Sequence, residues 1–467
     1  MKPTLFCALL LFVATRLGHA AELQAAAAWV DITPKLGTPM AGYYSERGAE
    51  AVHDPLKAKA LVLAHGSTKV ALVTVDLIST LRSTVEEARR LIEIETGIPA
   101  AQVMISATHS HTGPVLSGNR RYDAITGSHP FALEYTAALP SLLAQVVKTA
   151  ASRLGEARVS DGIGHEEGLA FNRRFHMRDG SIGWNAGKLN PNIVQPAGPT
   201  DPRVHVVLFR DGQDRPIATY VNFAMHLDTV GGAAFSADYP FTLSECLARV
   251  HGPDLVTFFS IGCAGDINHI NVKSGAQQQG HGEAARIGTV LAASVLRASE
   301  HLRTNRTDLP LRISREMVQM PIPDLTADDV AFARTVTMAL EEKKAPAPKF
   351  LDQVRAFQVL DVEPQQGKPF AVEVQVIALG DEIAWVSLPG EIFVELGLSI
   401  KAGSPFRQTI IAELANGSIG YIPTRRAYSE GNYEVVSARC AEGSGELLVE
   451  SALRQLRALF RETQKGP

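Results

Sequence analysis

The chain has 467 residues, with 45 Lys+Arg against 49 Asp+Glu and an ordinary globular share of apolar residues. So balanced a charge leaves no basic footprint for nucleic acid and no polybasic patch for an anionic membrane. The length accommodates one large domain or two of ordinary size.

Residues 1–20 read as a secretory leader. Met1-Lys2 is a short positive start, residues 5–14 are apolar, and Gly18-His19-Ala20 offers small residues to signal peptidase. Cleavage is expected after Ala20, giving an exported chain of residues 21–467, secreted or periplasmic. The leader's apolar run is shorter than the roughly 20 residues a bilayer span needs. No later stretch reaches that length, so no transmembrane segment is expected in the mature chain. Cys246, Cys263 and Cys440 remain after cleavage. Three scattered cysteines are not a disulfide framework, and without CxxC spacing a thiolate zinc site is not expected.

In chain order, residues 25–30 form a strand ending in Asp31-Ile32-Thr33-Pro34. Residues 58–63 and 70–75 are two β-type runs across a hairpin-like break. Ser83 with Glu86 reads as a capping box opening a helix that runs through Ile94 and stops at Gly97 and Pro99. Residues 103–107 are a buried strand. Residues 131–154 are helical in pattern, with Pro140 expected to bend them. Strands follow at 204–209, 217–225 and 255–261, with helices at 241–251 and 282–302. A charged helix is expected over 326–344 and a linker at Ala345-Pro346-Ala347-Pro348. Residues 371–379 and 383–388 form a hairpin, followed by a helix to Lys401, a strand at 409–414 and a final helix at 445–460. This mixture fits a single large α/β domain with a mixed sheet.

One pattern recurs. A buried strand ends and a chemically capable residue follows, at Asp76, at His109 and His111, at His226, at Asp266 and at Glu391. In open α/β sheets ligands bind outside the carboxyl ends of strands, so a shared site is expected there. His109 and His111 stand at spacing two, and on extended backbone such residues point the same way. A metal or acid/base site is expected from them. Asp76 and Asp266 are expected to brace site loops or to support ligand histidines. Ser236-Ala237-Asp238-Tyr239 is expected to line the pocket. His53, His65, His129, His165, His176, His205, His251, His281 and His301 are expected at the surface.

Six motifs occur in order: ATHSHTGP (107–114), FNRR (171–174), NFAMH (222–226), AGDIN (264–268), LPGE (388–391) and GYIPTRRAYSEGNYE (420–434). Together they resemble the catalytic domain of the neutral/alkaline, non-lysosomal ceramidases, over nearly the whole mature chain. The resemblance implies that family's mixed-sheet fold and a zinc-dependent amidase acting on ceramide or a similar lipid amide. A lipid amide would bring peripheral contact with a membrane. The family's ligand positions fall on His109, His226, Glu391 and Tyr421, to hold Zn2+. Two histidines and a glutamate are ordinary zinc ligands; the tyrosine rests on the resemblance. His111, Arg173 and Tyr433 match positions lining the reaction centre, suited to moving a proton or steadying an oxyanion.

Two departures bear on substrate. Asn268 stands where the family's GDxSPN motif has a serine, and an amide cannot act as nucleophile. Hydrolysis would therefore use metal-activated water, with Asn268 donating a hydrogen bond to substrate. The chain also stops soon after the tyrosine motif, without the ceramidases' C-terminal β-sandwich. Alternatives are a different amide or ester, sugar- or cell-wall-derived, and a non-catalytic binding protein on the same fold.

Overall fold

The computed structural model describes residues 22–118, 123, 128–299, 302–342 and 345–463. The leader expected over residues 1–20 lies outside the described residues, as does His301.

Two sheets face each other. The larger runs, in spatial order, Val256–Ile261, Pro216–Phe223, Arg203–Asp211, Gly155–His165, Gln24–Asp31, Lys57–His65, Thr68–Val75 and Val103–Ala107, with Arg303–Arg306 paired beside Gly155–His165. The smaller runs Leu311–Met320, Phe370–Leu379, Ile383–Ser387 and Gln408–Ala412. Both are mixed. Most neighbours are antiparallel, but Pro216–Phe223 with Val256–Ile261, Thr68–Val75 with Val103–Ala107, and Ile383–Ser387 with Gln408–Ala412 are parallel.

Side-chain alternation explains why so many strands are apolar throughout. Along Lys57–His65, Ala58, Ala60 and Val62 face the core beneath the helices. Leu61 and Leu63 face the core between the sheets, against Ile377, Ile383, Trp385 and Ile410 of the smaller sheet. A strand covered on both faces reads as a continuous hydrophobic run. The helices Arg82–Thr96, Pro130–Ala151, Tyr239–His251 and His281–Ser299 cover the outer face of the large sheet. Val394–Gly403 and Ser444–Thr463 cover that of the small one. The layers are therefore helix, sheet, sheet, helix, the mixed α/β class expected from the sequence.

Most elements fall where the sequence places them. Helix Arg82–Thr96 ends on Gly97 at φ 71, the left-handed conformation that favours glycine. Its expected capping box is absent. Leu81 is the N-cap, and Glu86 accepts from Arg82 Nε at 2.7 Å instead. The box that does form lies at Thr326 and Asp329. The 345–348 segment joins two helices, Ala327–Glu341 and Phe350–Val362, which share a small core of Ala333, Val336, Ala356 and Val359. The second helix was missed, as was strand Leu311–Met320. As an edge strand carrying Arg312, Arg315 and Glu316, that strand lacks the apolar signal of its neighbours. No helix among the described residues is long and apolar enough to cross a membrane.

Candidate metal centre and the cavities beside it

The parallel strands bring their carboxyl ends to one side, and the site lies there. Val103–Ala107 delivers His109, Pro216–Phe223 delivers His226, and Ile383–Ser387 leads to Glu391. Loop 413–416 stitches the sheets together at this edge. Ala107 N donates to Leu414 O at 3.1 Å, and Asn416 N to Ile105 O at 2.7 Å. Close backbone approach fixes the loops. A Cβ on Gly265 would stand 2.5 Å from Glu391 O, and one on Gly390 would stand 2.5 Å from Gly420 O.

His109 and His111 converge, but not as strand neighbours. The strand ends at Ala107, and His109 has φ 78, a left-handed conformation costly for a side-chain-bearing residue. The turn, rather than a two-residue pleat, brings the rings together, with Nε2 atoms 3.2 Å apart. Ser110 Oγ and Thr112 Oγ1 donate to Ser236 O at 2.6 and 3.0 Å and hold this turn. Ser236 and Ala237 are thus loop supports from behind rather than cavity lining.

Backbone anchors set two tautomers. His109 Nδ1 lies 2.8 Å from Ile78 O, and His226 Nδ1 lies 2.8 Å from Ala264 O. A nitrogen facing a carbonyl can only donate, so each Nε2 keeps its lone pair. Both Nε2 atoms face Glu391 Oε2, at 3.5 and 3.4 Å. That oxygen is buried without a hydrogen-bond partner. Three acceptors therefore confront one another. Arg173 Nη1 reaches His226 Nε2 at 3.3 Å and His111 Nε2 reaches His109 Nε2 at 3.2 Å, but Glu391 Oε2 stays unpaired, whereas a divalent cation would satisfy all three. The donor set fits zinc, which takes imidazole nitrogen and carboxylate oxygen. Burial, then Arg173 and His109, pushes the His226 imidazole down to about 3, so the ring is neutral and able to ligate.

His111 is different. Its Nδ1 stands 3.5 Å from Asp228 Oδ1, too long for a hydrogen bond, so its hydrogen sits on Nε2, toward the His109 lone pair at 3.2 Å. Burial holds its pKa well below the usual histidine range. His109, His111 and His226 form one of two groups among the described residues that could hold a metal ion. The other is His53, Asp54 and His281.

Tyr421 accepts from Arg173 Nη2 at 3.0 Å, and its hydroxyl lies near the Glu391 carboxylate. Burial, then the Glu391 charge, raises its pKa well above the ordinary phenol value. Arg173 is buried and largely committed to the protein. Nε bonds Glu434 Oε1 at 2.9 Å, and Nη2 also bonds Gly265 O at 2.8 Å. Its Nη1 faces the His226 Nε2 at 3.3 Å. Tyr433 packs its ring on Tyr421, Trp184 and Phe350.

Asn268 does not stand among the ligand atoms. Its Nδ2 donates to Asn185 Oδ1 at 3.0 Å, and its Oδ1 accepts from Ile270 N at 3.0 Å. It lines a cavity of about 320 Å³ together with Arg173, Asp228 and His269. A second cavity, about 260 Å³, opens on His109, Glu391 and Tyr421. Asp76 and Asp266 brace loops. Asp76 accepts from Lys57 N at 2.9 Å, and Asp266 from Val394 N and Asn172 Nδ2, both at 2.8 Å.

Three participants escaped the sequence reading. Glu434 is fully buried and binds both Arg173 and Arg174. Its place next to Tyr433 in the last motif was the available signal. Asp228 accepts from Tyr43 at 2.7 Å beside His111. Glu413 holds Ile392 N at 2.7 Å, and burial raises its pKa well above the carboxylate range. His205, expected at the surface, is buried in strand Arg203–Asp211, because that strand is covered on both faces. The three mature cysteines are all free thiols.

No protein-family model matches the sequence, and no curated protein matches it. Among solved structures, the chain is similar to the neutral ceramidase from Pseudomonas aeruginosa, with TM-score 0.74 at 18% identity, covering 95% of this chain and 75% of that one. It is also similar to a structure described as ceramidase complexed with C2, with TM-score 0.73 at 17% identity, covering 95% and 76%. The chain therefore has the mixed-sheet α/β fold of the neutral ceramidase catalytic type.

Proposed function

We propose that this protein is an exported zinc-dependent amidohydrolase, with residues 1–20 a cleaved leader and 21–467 the hydrolase domain. The supporting observation is the buried meeting of His109 Nε2, His226 Nε2 and Glu391 Oε2, three acceptors with no donor among them. Those residues and Tyr421 hold the metal. Zinc so held brings water into the neutral ionisation range and polarises an amide carbonyl. The ceramidase fold neighbours support an amide, ceramide or a similar N-acyl compound, as substrate.

His111 moves the proton. It is the imidazole of the three with no backbone anchor, and its Nε2 hydrogen would be released once a metal took the His109 lone pair it now faces. Arg173 offers Nη1 to the carbonyl oxygen as charge develops: that nitrogen now faces His226 Nε2 and would be freed by a metal there, whereas its other nitrogens stay on Glu434, Gly265 and Tyr421. Glu434 holds that guanidinium in place. Tyr433 forms the aromatic wall beside Tyr421. Asn268 hydrogen-bonds substrate from the neighbouring cavity and has no nucleophilic role.

The test is metal analysis followed by an amide and ester panel on one preparation. The expected result is one zinc per chain and amide hydrolysis lost on chelation and restored by zinc. Full hydrolysis by a His109→Ala/His226→Ala double variant would sink the proposal.

A further inference from the structure

The two cavities beside the candidate metal centre differ from what two alkyl chains require. An alkyl chain is held by a continuous apolar wall. The cavity next to Arg173 sets Asn185, Asp228, Asn268, His269 and Gln277 to Gln279 among Phe175, Ile270 and Val272. The other cavity interleaves Ile78, Leu81 and Ile419 with Ser418, Asp361 and Arg439. Neither offers an unbroken apolar surface.

His269 points to what the first cavity takes. It is buried, at 4% exposure, on that cavity's wall. The Gln278 backbone lies beside the ring, yet neither ring nitrogen makes a well-formed hydrogen bond within the protein. Buried polar atoms are ordinarily paired. A hydroxyl both donates and accepts and can serve either ring nitrogen. A methylene can serve neither and would strip water from the surrounding carboxamides without replacing it.

We propose that this cavity holds a polyhydroxylated amine, so that the substrate is an N-acylated amino sugar with a short acyl group rather than a long-chain ceramide. The inference rests on the amidohydrolase function proposed above and names its substrate class. The reaction is hydrolysis: water adds oxygen to the acyl carbon, the C–N bond breaks, and the amine leaves with a proton. The products are a short carboxylate and a free amino sugar. The acyl group lies toward the His109, Glu391 and Tyr421 cavity, and the sugar toward Asn185, His269 and Gln279.

The experiment uses the zinc-loaded full chain. N-acetylglucosamine, its β-1,4-linked disaccharide, an N-acetyl amino acid and a long-chain ceramide in mixed micelles are compared by released amine. The expected result is a kcat/KM for an amino sugar at least tenfold above that for ceramide. Fastest turnover of ceramide or of the N-acetyl amino acid overturns this inference and leaves the amidohydrolase proposal standing. If no amide turns over, the amidohydrolase proposal fails, and calorimetry with the disaccharide decides the cavity separately. Saturable binding weakened tenfold or more in Asn185→Leu/Gln279→Leu upholds a sugar site; no binding overturns it. Where turnover is seen, the same variant is expected to raise the ceramide-to-amino-sugar kcat/KM ratio tenfold, chiefly through KM for the sugar. Both positions are exposed; because Asn185 sits at φ 44 and accepts from Asn268, Gln279→Leu alone gives the reading if the double variant does not fold. An unchanged or lower ratio overturns the inference.

Discussion

Two buried polar clusters sit near the same strand, Val103–Ala107, and they are built oppositely. On one side Arg89 meets both oxygens of Glu373, at 3.0 and 2.8 Å, and gives Nε to Val103 O at 2.9 Å. Asn416 donates to Glu373 and Gln375, both at 3.0 Å, and accepts from Ile105 N at 2.9 Å. Donors meet acceptors throughout. At the end of the strand, His109, His226 and Glu391 turn acceptors toward one another. A closed network joins elements and needs nothing more. An open one keeps its cost until a ligand supplies what is missing, which is how a scaffold differs from a site.

The largest effect comes from breaking the closed cluster. Glu373→Ala leaves Arg89 buried without its carboxylate and is expected to cost about 3–5 kcal/mol in urea unfolding. An Arg89→Met/Glu373→Leu double variant is expected to recover most of that, since a pair replaced by apolar groups leaves no orphan charge. If Glu373→Ala unfolds like the parent, the closed cluster is not a structural joint.

Completing the open cluster should act the other way. Zinc at a hundredfold excess over its Kd is expected to stabilise the apo protein by about 2.7 kcal/mol. The shift should vanish in His109→Ala/His226→Ala. Equal stabilisation of both proteins by zinc, read as thermal midpoints, would place the metal elsewhere.

A comparable effect, but one confined to a pH window, concerns a brace at the open cluster. Burial raises Asp266 to about 6 against the Val394 and Asn172 hydrogen bonds. A folded pKa above the unfolded value means the folded state binds the extra proton. Stability from this group is present below about pH 4 and is lost as pH rises through about 6. The change is on the order of 3 kcal/mol. Asp266→Asn removes it, so the difference between variant and parent in unfolding free energy should slope between pH 4 and 6. A flat difference would mean that Asp266 titrates normally.

Much of the site was legible because its residues announce themselves locally. Apolar strands stop, and His109, His226 and Glu391 stand just beyond. The period-two argument for His109 and His111 reached the right convergence by the wrong geometry, since His109 sits in a left-handed turn. Asp228 and Glu413 were invisible because isolated acidic residues in a sequence look like surface residues, and only packing takes them out of water. His205 was misplaced for the same reason.

The sequence by itself determined the strand and helix succession, the mixed α/β class, and which residues could bind a metal, because periodicity and residue chemistry are local. The tertiary structure alone decided that two sheets face each other and that His109, His226 and Glu391 turn acceptors toward one another. It also decided that the cavity beside them is lined in part by carboxamides. Those properties depend on which distant strand ends come together and which side chains lose water. Neither is written in the spacing of residues along the chain.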